Sequence, residues 1–128
     1  MKKIKYEGQA YDHLRPHERV ALELISDYFS SEIICIDVGA GKTPDLRIRN
    51  IEWEIKSPVS DGPKTVENIL RKAKNQSQNV ILDLSRSKFT TMRALSRIRN
   101  YIKRNNKQIK KLIVITKEKK VLDLTEEL

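Results

Sequence analysis

Two short stretches carry side chains that can do chemistry together: Pro44-Asp45 and, nine residues further on, Glu54-Ile55-Lys56. Two carboxylates brought close can hold a hard divalent cation by oxygen, and the backbone carbonyl of Ile55 can add another oxygen. A cation so held polarises a phosphate and lowers the pKa of a bound water. Lys56 can orient or deprotonate that water, or neutralise the charge that builds on a phosphorane. Lysine suits the task as a compact point charge whose pKa shifts in a partly buried site. Asp45, Glu54 and Lys56 are therefore the candidate catalytic residues, with Asp45, Glu54 and the Ile55 carbonyl as candidate ligands for Mg²⁺ or Mn²⁺. Neither motif alone is specific. Asp beside Pro is common in turns, and E-x-K recurs on strands as a salt pair.

The elements around the motifs bring them together. Leu46 and Ile48 alternate with polar neighbours, Asn50 marks a tight turn, and Trp53 and Ile55 alternate again, which predicts a β-hairpin. With Asn50-Ile51 as a two-residue turn, 49 pairs with 52, 47 with 54 and 45 with 56. Asp45 then lies beside Lys56 and diagonal to Glu54, and Leu46, Ile48, Trp53 and Ile55 fill the opposite, core-facing side.

Residues 1–15 read as irregular or short and extended. Pro16 suits a helix first turn, and Val20, Ala21, Leu24, Ile25 and Tyr28 give an amphipathic helix over about 16–29. Ile33 to Val38 reads as a central strand. Val66, Ile69, Leu70 and Ala73 mark a second helix, and Val80 to Leu84 a buried strand. A third helix over 88–105 carries the core face Met92, Leu95, Ile98 and Ile102. Leu112 to Ile115 and Val121 to Leu124 close the chain as strands. The expected architecture is one α/β domain over residues 1–128, a mixed central sheet flanked by helices in the order α-β-β-β-α-β-α-β-β.

Charge is unevenly placed in this +9 chain. Residues 1–63 carry 9 Lys/Arg against 11 Asp/Glu, residues 64–120 carry 17 against 3, and the last eight residues add three acids. A net +14 over the second segment points to a polyanion, nucleic acid first. Arg93, Arg97 and Arg104 fall within about 40° of one another on the third helix, a stripe that can track phosphates. Arg71 and Lys72 avoid the apolar face of the second helix. Lys64 and Thr65 sit at its start, where a helix N-terminus favours phosphate, and Asn68 follows as a polar site position. Tyr101 is the one stacking platform expected near the stripe, which favours backbone over base recognition. The single cysteine, Cys35, reads as a buried strand thiol. No apolar stretch approaches the roughly 18 residues of a membrane span. Met1-Lys2-Lys3-Ile4-Lys5 has no apolar signal region behind it. The expectation is a cytoplasmic site of action with no membrane partner.

Pro44-Asp45, eight residues, then Glu54-Ile55-Lys56 resembles the signature of the PD-(D/E)XK nuclease superfamily. That resemblance implies a restriction-endonuclease-like core, metal binding by Asp45 and Glu54, and catalysis by Lys56. Many members add a glutamate from the first helix. Glu18 borders the apolar face, roughly 90° from its centre, while Glu23 lies about 130° away, so Glu18 is the expected further catalytic and metal-site carboxylate. His17 beside it reads as a surface or capping residue.

Further stretches resemble the C-terminal nuclease domains of CdiA-type contact-dependent inhibition toxins. These are Trp53-Glu54-Ile55-Lys56-Ser57-Pro58, Thr65-Val66-Glu67-Asn68, Val80-Ile81-Leu82-Asp83-Leu84, Leu112 to Lys117 and Val121 to Leu124, over about 17–124. This resemblance implies a toxin-type ribonuclease acting on transfer RNA, a cognate immunity protein, and delivery from another cell. Such domains usually end very large exported proteins, whereas this chain opens on Met1. The expectation is an excised domain or a free-standing relative. The alternatives are a DNA endonuclease of restriction, repair or junction-resolving type, and a nucleic-acid-binding module without catalysis.

Overall fold

Two segments with no polar face, Val80-Ile81-Leu82 and Leu112-Ile113-Val114-Ile115, need cover on both sides of a sheet. The computed structural model, which describes residues 4–39, 45–59, 62, 64–76, 78–105 and 109–128, supplies it. Its strands are β1 (Ile4–Tyr6), β2 (Ile33–Ile36), β3 (Asp45–Ile48), β4 (Ile51–Lys56), β5 (Asn79–Asp83), β6 (Lys111–Ile115) and β7 (Val121–Asp123). Its helices are α1 (Ala10–His13), α2 (Pro16–Phe29), α3 (Thr65–Gln76) and α4 (Thr91–Asn105), with a 3-10 turn at Thr125–Glu127. The strands lie side by side in chain order as one seven-stranded mixed sheet. β1–β2, β4–β5 and β5–β6 are parallel, and the remaining neighbours are antiparallel.

Two separate cores face the sheet. Ala21, Leu22 and Ile25 of α2 bury against Ile33, Cys35, Leu46, Ile48, Trp53, Ile55, Ile81, Ile113 and Ile115. On the other side, Val66 and Leu70 of α3 and Ala94, Ile98, Tyr101 and Ile102 of α4 bury against Val80, Leu82, Leu112 and Val114. That second core takes no residue from β3 or β4, whose side chains on this face are polar.

Local chemistry sets the element ends. Pro16 opens α2, and Ser30 closes it in the left-handed region (φ 50°), its N–H donating to Ser26 O at 3.0 Å. Thr90 Oγ1 accepts the Arg93 N–H at 3.2 Å and so caps α4. Asp37, just past β2, accepts the N–H of Gln9 (3.0 Å) and Gly39 (3.1 Å) and contacts His13 Nδ1 (3.2 Å). A Cβ on Gly8 (φ 51°) would sit 2.7 Å from Asp37 Oδ2, which is why the chain has glycine there.

The structure changes several expectations. The stretch 1–15 contains β1 and α1, ahead of the expected order. The buried face of α2 is rotated: Leu22 and Ser26 are inside, while Val20 and Tyr28 are exposed. On α4, Met92 is 83% exposed, and Ala94 and Tyr101 take core positions instead. Tyr101 is therefore core, not a stacking platform. Both shifts follow from where each helix meets the sheet, which periodicity constrains only to within a residue or so per turn. The expected difference in stability is large. Leu22→Ala costs roughly 2–5 kcal/mol, whereas Met92→Lys changes stability by less than about 0.5 kcal/mol; urea unfolding of both variants checks the two faces.

Candidate active site

The β3–β4 hairpin turns at Arg49-Asn50, whose φ values of 52° and 66° are those of a type I′ turn. This corrects the turn expected at Asn50-Ile51. A β-branched Ile51 resists positive φ, whereas Asn50 tolerates it, so the turn falls one residue earlier. The register follows: Asp45 pairs with Glu54, Leu46 with Trp53, Arg47 with Glu52 and Ile48 with Ile51. Asp45 thus stands directly opposite Glu54 rather than opposite Lys56. The faces are as expected, because moving the turn by one residue changes each pairing by two and leaves the alternation intact.

Directly opposed side chains on neighbouring strands approach to about 5 Å at Cβ. Glu54 is only 7% exposed. Burial and a hydrogen bond with Asp45 push its carboxyl up to about 7, against an opposing contribution from Lys56. Lys56 Nζ lies 3.1 Å from Glu54 Oε1 and is half-buried. Arg47, next along the same face, pairs with Glu52 (3.6 Å) and Glu7 (3.8 Å).

The donor set fits a hard cation. Two carboxylates in contact need either a shared proton or a positive charge between them. The Ile55 carbonyl is a candidate third oxygen. Asn79 Nδ2 donates to Glu52 O (3.0 Å), so the even-numbered carbonyls of β4 turn toward β5 and that of Ile55 turns toward β3. Among the described residues the β3–β4 ladder ends at the Asp45–Glu54 pair, one step before Ile55. Next to Lys56, the buried Ser57 Oγ has no partner among the described residues, while Arg86 Nη2 donates to Ser57 O at 3.4 Å. An orphan hydroxyl at this point suits a water or a ligand oxygen, and no sequence pattern announced it.

The other expected site residues fall in three places. Pro44 lies outside the described residues. Glu18 lies in line with Leu22 and Ile25, at i+4 and i+7, so it faces the sheet more squarely than expected. Its Oε1 accepts the Arg15 N–H at 2.8 Å, which makes it the cap of α2. Among the described residues, no group of three or more His, Cys, Asp or Glu side chains is placed to hold a metal, so Glu18 does not join Asp45 and Glu54 directly. Both Glu18 and Asp45 are nevertheless felt by the buried Cys35 thiol, which burial first, and these charges next, push up to about 11. His17 is half-buried beside Arg86, and burial and that cation hold it below the usual histidine range. Asp83 is buried and accepts the Ser85 N–H at 3.0 Å.

The basic residues also cluster. Lys64, Thr65 and Asn68 line a recess of about 410 Å³ with Gly62. Arg71 Nη2 donates to Asn68 Oδ1 (2.7 Å), and Lys72 is exposed. Arg93, Arg97 and Arg104 line a groove of about 400 Å³ between α3 and α4. Glu67, Ser96 and Asn100 complete it; the spacing of 96 and 100 with 93, 97 and 104 is the signal that finds the latter two.

Residues 42–121 match the family described as the contact-dependent growth inhibition CdiA C-terminal domain. The chain belongs to that family. Among solved structures, it resembles the CdiA-CT/CdiI toxin and immunity complex from Burkholderia pseudomallei, at a TM-score of 0.63 and 18% identity, over 93% of this chain and 97% of that one. At that identity the likeness is one of fold. No curated protein matches the chain. Among the described residues no helix is long and apolar enough to cross a membrane.

The raised Glu54 carboxyl has a thermodynamic consequence for this CdiA C-terminal domain. Between the ordinary value of 4.5 and about 7, the folded chain holds a proton that the unfolded chain has released. Stability therefore falls as pH rises through that window. Glu54→Gln should stabilise the metal-free protein at pH 8 by on the order of 1–3 kcal/mol and leave it nearly unchanged at pH 4. Urea unfolding at the two pH values, with chelator present, measures this.

Proposed function

We propose that the chain is a metal-dependent nuclease of the toxin type, hydrolysing nucleic-acid phosphodiesters, with transfer RNA as substrate. The observation that carries the reading is the opposed Asp45–Glu54 pair with Lys56 Nζ 3.1 Å from Glu54. Asp45, Glu54 and the Ile55 carbonyl would hold Mg²⁺ or Mn²⁺ in place of the proton the two carboxylates share. The cation supplies Lewis acidity and a bound water of lowered pKa. Lys56 would orient an attacking water or face the negative charge that builds on the phosphate, and Ser57 Oγ would offer a hydrogen bond to an oxygen there. Glu18 would take part at most through water at the end of the sheet, because α2 covers the face opposite the Asp45 and Glu54 side chains and the Glu18 carboxylate caps that helix.

The net +14 of residues 64–120 supports a nucleic-acid substrate. The choice of RNA, and of transfer RNA within it, rests on the resemblance to CdiA-type nuclease domains and on the family. The structural neighbour was solved as a toxin and immunity complex, which supports a cognate immunity protein for this chain too. Membership of a contact-dependent growth inhibition family supports delivery from another cell, and action in the cytoplasm of the recipient is part of the same proposal.

Induction in cells, followed by gels of total RNA and plasmid DNA, separates the readings. Discrete transfer-RNA fragments are expected. Loss of plasmid with intact RNA would make the protein a DNA endonuclease instead. In vitro, cleavage should require a divalent cation, and Asp45→Ala and Glu54→Ala should each lower it roughly 100-fold or more while substrate binding persists. A wild-type chain that binds but cuts neither RNA nor DNA with any divalent cation is a binding module.

A further inference from the structure

We propose that Arg93 and Arg97 form a preset clamp for the phosphodiester backbone, positioned by Phe89 and Glu67, in a groove whose lining includes none of the candidate catalytic residues. The proposal rests on the nuclease reading and assigns where substrate is gripped away from the cut. Phe89 is buried, and the guanidinium carbons of Arg93 and Arg97 lie 5.1 and 5.2 Å from its ring centroid. Two like charges share one immobile ring, whose quadrupole attracts both. Arg97 Nη1 also lies 3.4 Å from Glu67 Oε2 on α3, a half-buried ion pair that ties the clamp to the neighbouring helix. The arginines repel each other, and an anion between them relieves that repulsion. Their planar, forked donors match phosphate oxygens two at a time.

The surroundings favour a phosphate chain over a single anion. Arg104 continues the same groove two to three turns along α4, with Ser96 and Asn100 as neutral donors between. From 93 to 104 the helix rises about 16 Å, the length of about five nucleotides at roughly 3.4 Å each. Phe89 and Tyr101 are buried, so these two rings offer no exposed face for base stacking, and the backbone is what remains to be read. The groove is also joined to the candidate site. Lys88 N–H donates to Val59 O (3.2 Å), which ties the loop entering α4 to the loop leaving β4 after Lys56. The recess of Lys64, Thr65 and Asn68 opens at the start of α3, five residues along the chain from Val59. α3 itself packs on β4 and against α4, so a strand crossing its N-terminal end reaches both places.

The test measures binding of a fluorescein-labelled stem-loop RNA and of a short DNA duplex across a salt series, with chelator to stop cleavage. R93Q/R97Q should weaken binding of the preferred probe by about 10-fold or more and reduce the salt slope by about 1–2, since each phosphate contact contributes roughly 0.7–0.9. R99Q, which removes one positive charge from a residue bonded to Glu127 (2.8 Å) and is compared with R93Q alone, should change affinity by less than about twofold. Phe89→Leu keeps both charges; with a melting curve confirming the fold, it should weaken binding without changing the salt slope. R93Q/R97Q that binds and, with Mg²⁺, cleaves like wild type overturns the clamp and leaves the nuclease reading standing. A wild-type chain that binds and cleaves neither probe overturns both. Equal losses in R99Q and R93Q, or a double variant that loses only an acidic protein partner, also overturn the clamp.

Discussion

Asp45 and Glu54 face each other across adjacent strands, and the candidate site inherits its chemistry from that contact. Like charges directly opposite on a sheet repel, and burial makes an unpaired carboxylate costlier still. The arrangement persists because the rest of the hairpin over-determines it. Leu46, Ile48, Trp53 and Ile55 bury beneath α2 on the reverse face, and β5 pairs with β4 along its other edge. The two carboxylates are therefore carried into place by apolar contacts they do not make. Lys56 offsets part of the cost, and the remainder shows as the raised Glu54 carboxyl. A site built this way favours whatever positive charge arrives between its oxygens.

The same strand divides the molecule. β4 turns apolar side chains toward α2 and polar ones toward the α3 side, while the core beneath α3 and α4 draws on β5 and β6. The acidic site therefore sits where the cover of α3 gives way to a polar sheet surface. Basic residues lie on α3 and α4, and the Lys88–Val59 hydrogen bond ties the segment entering α4 to the segment leaving β4. A substrate carrying repeated negative charge would meet the arginines over a long stretch and the carboxylates only at one point, where a cation makes the approach favourable.

Much of the site was legible because strands and helices impose short periods. Alternation alone placed Asp45, Glu54 and Lys56 on one face, and the 100° step placed Arg93, Arg97 and Arg104 on one stripe. The hairpin's turn lies one residue earlier than alternation predicts, because Asn50 fits either turn position and only the strain of a positive φ at Ile51 decides. β1 leaves no signature in the sequence, because three residues, Ile4–Tyr6, carry too little alternation to distinguish a strand. Glu67 gave no sign of positioning Arg97, because the two lie 30 residues apart on different helices; Phe89 stands four and eight residues before Arg93 and Arg97, a helical spacing, but only packing buries its ring beneath them.

The amino-acid order by itself determined that there is a hairpin with a polar, acid-bearing face, two basic amphipathic helices after it, and apolar strands that must be covered. These are local consequences of backbone geometry and hydrophobic period. Only the tertiary structure decided that the carboxylates oppose each other directly, that the Phe89 ring is buried beneath two arginines, and that Arg97 meets Glu67 of the neighbouring helix. The first depends on register and the others on packing between elements, where a shift of a single residue changes which groups meet while leaving every local pattern intact.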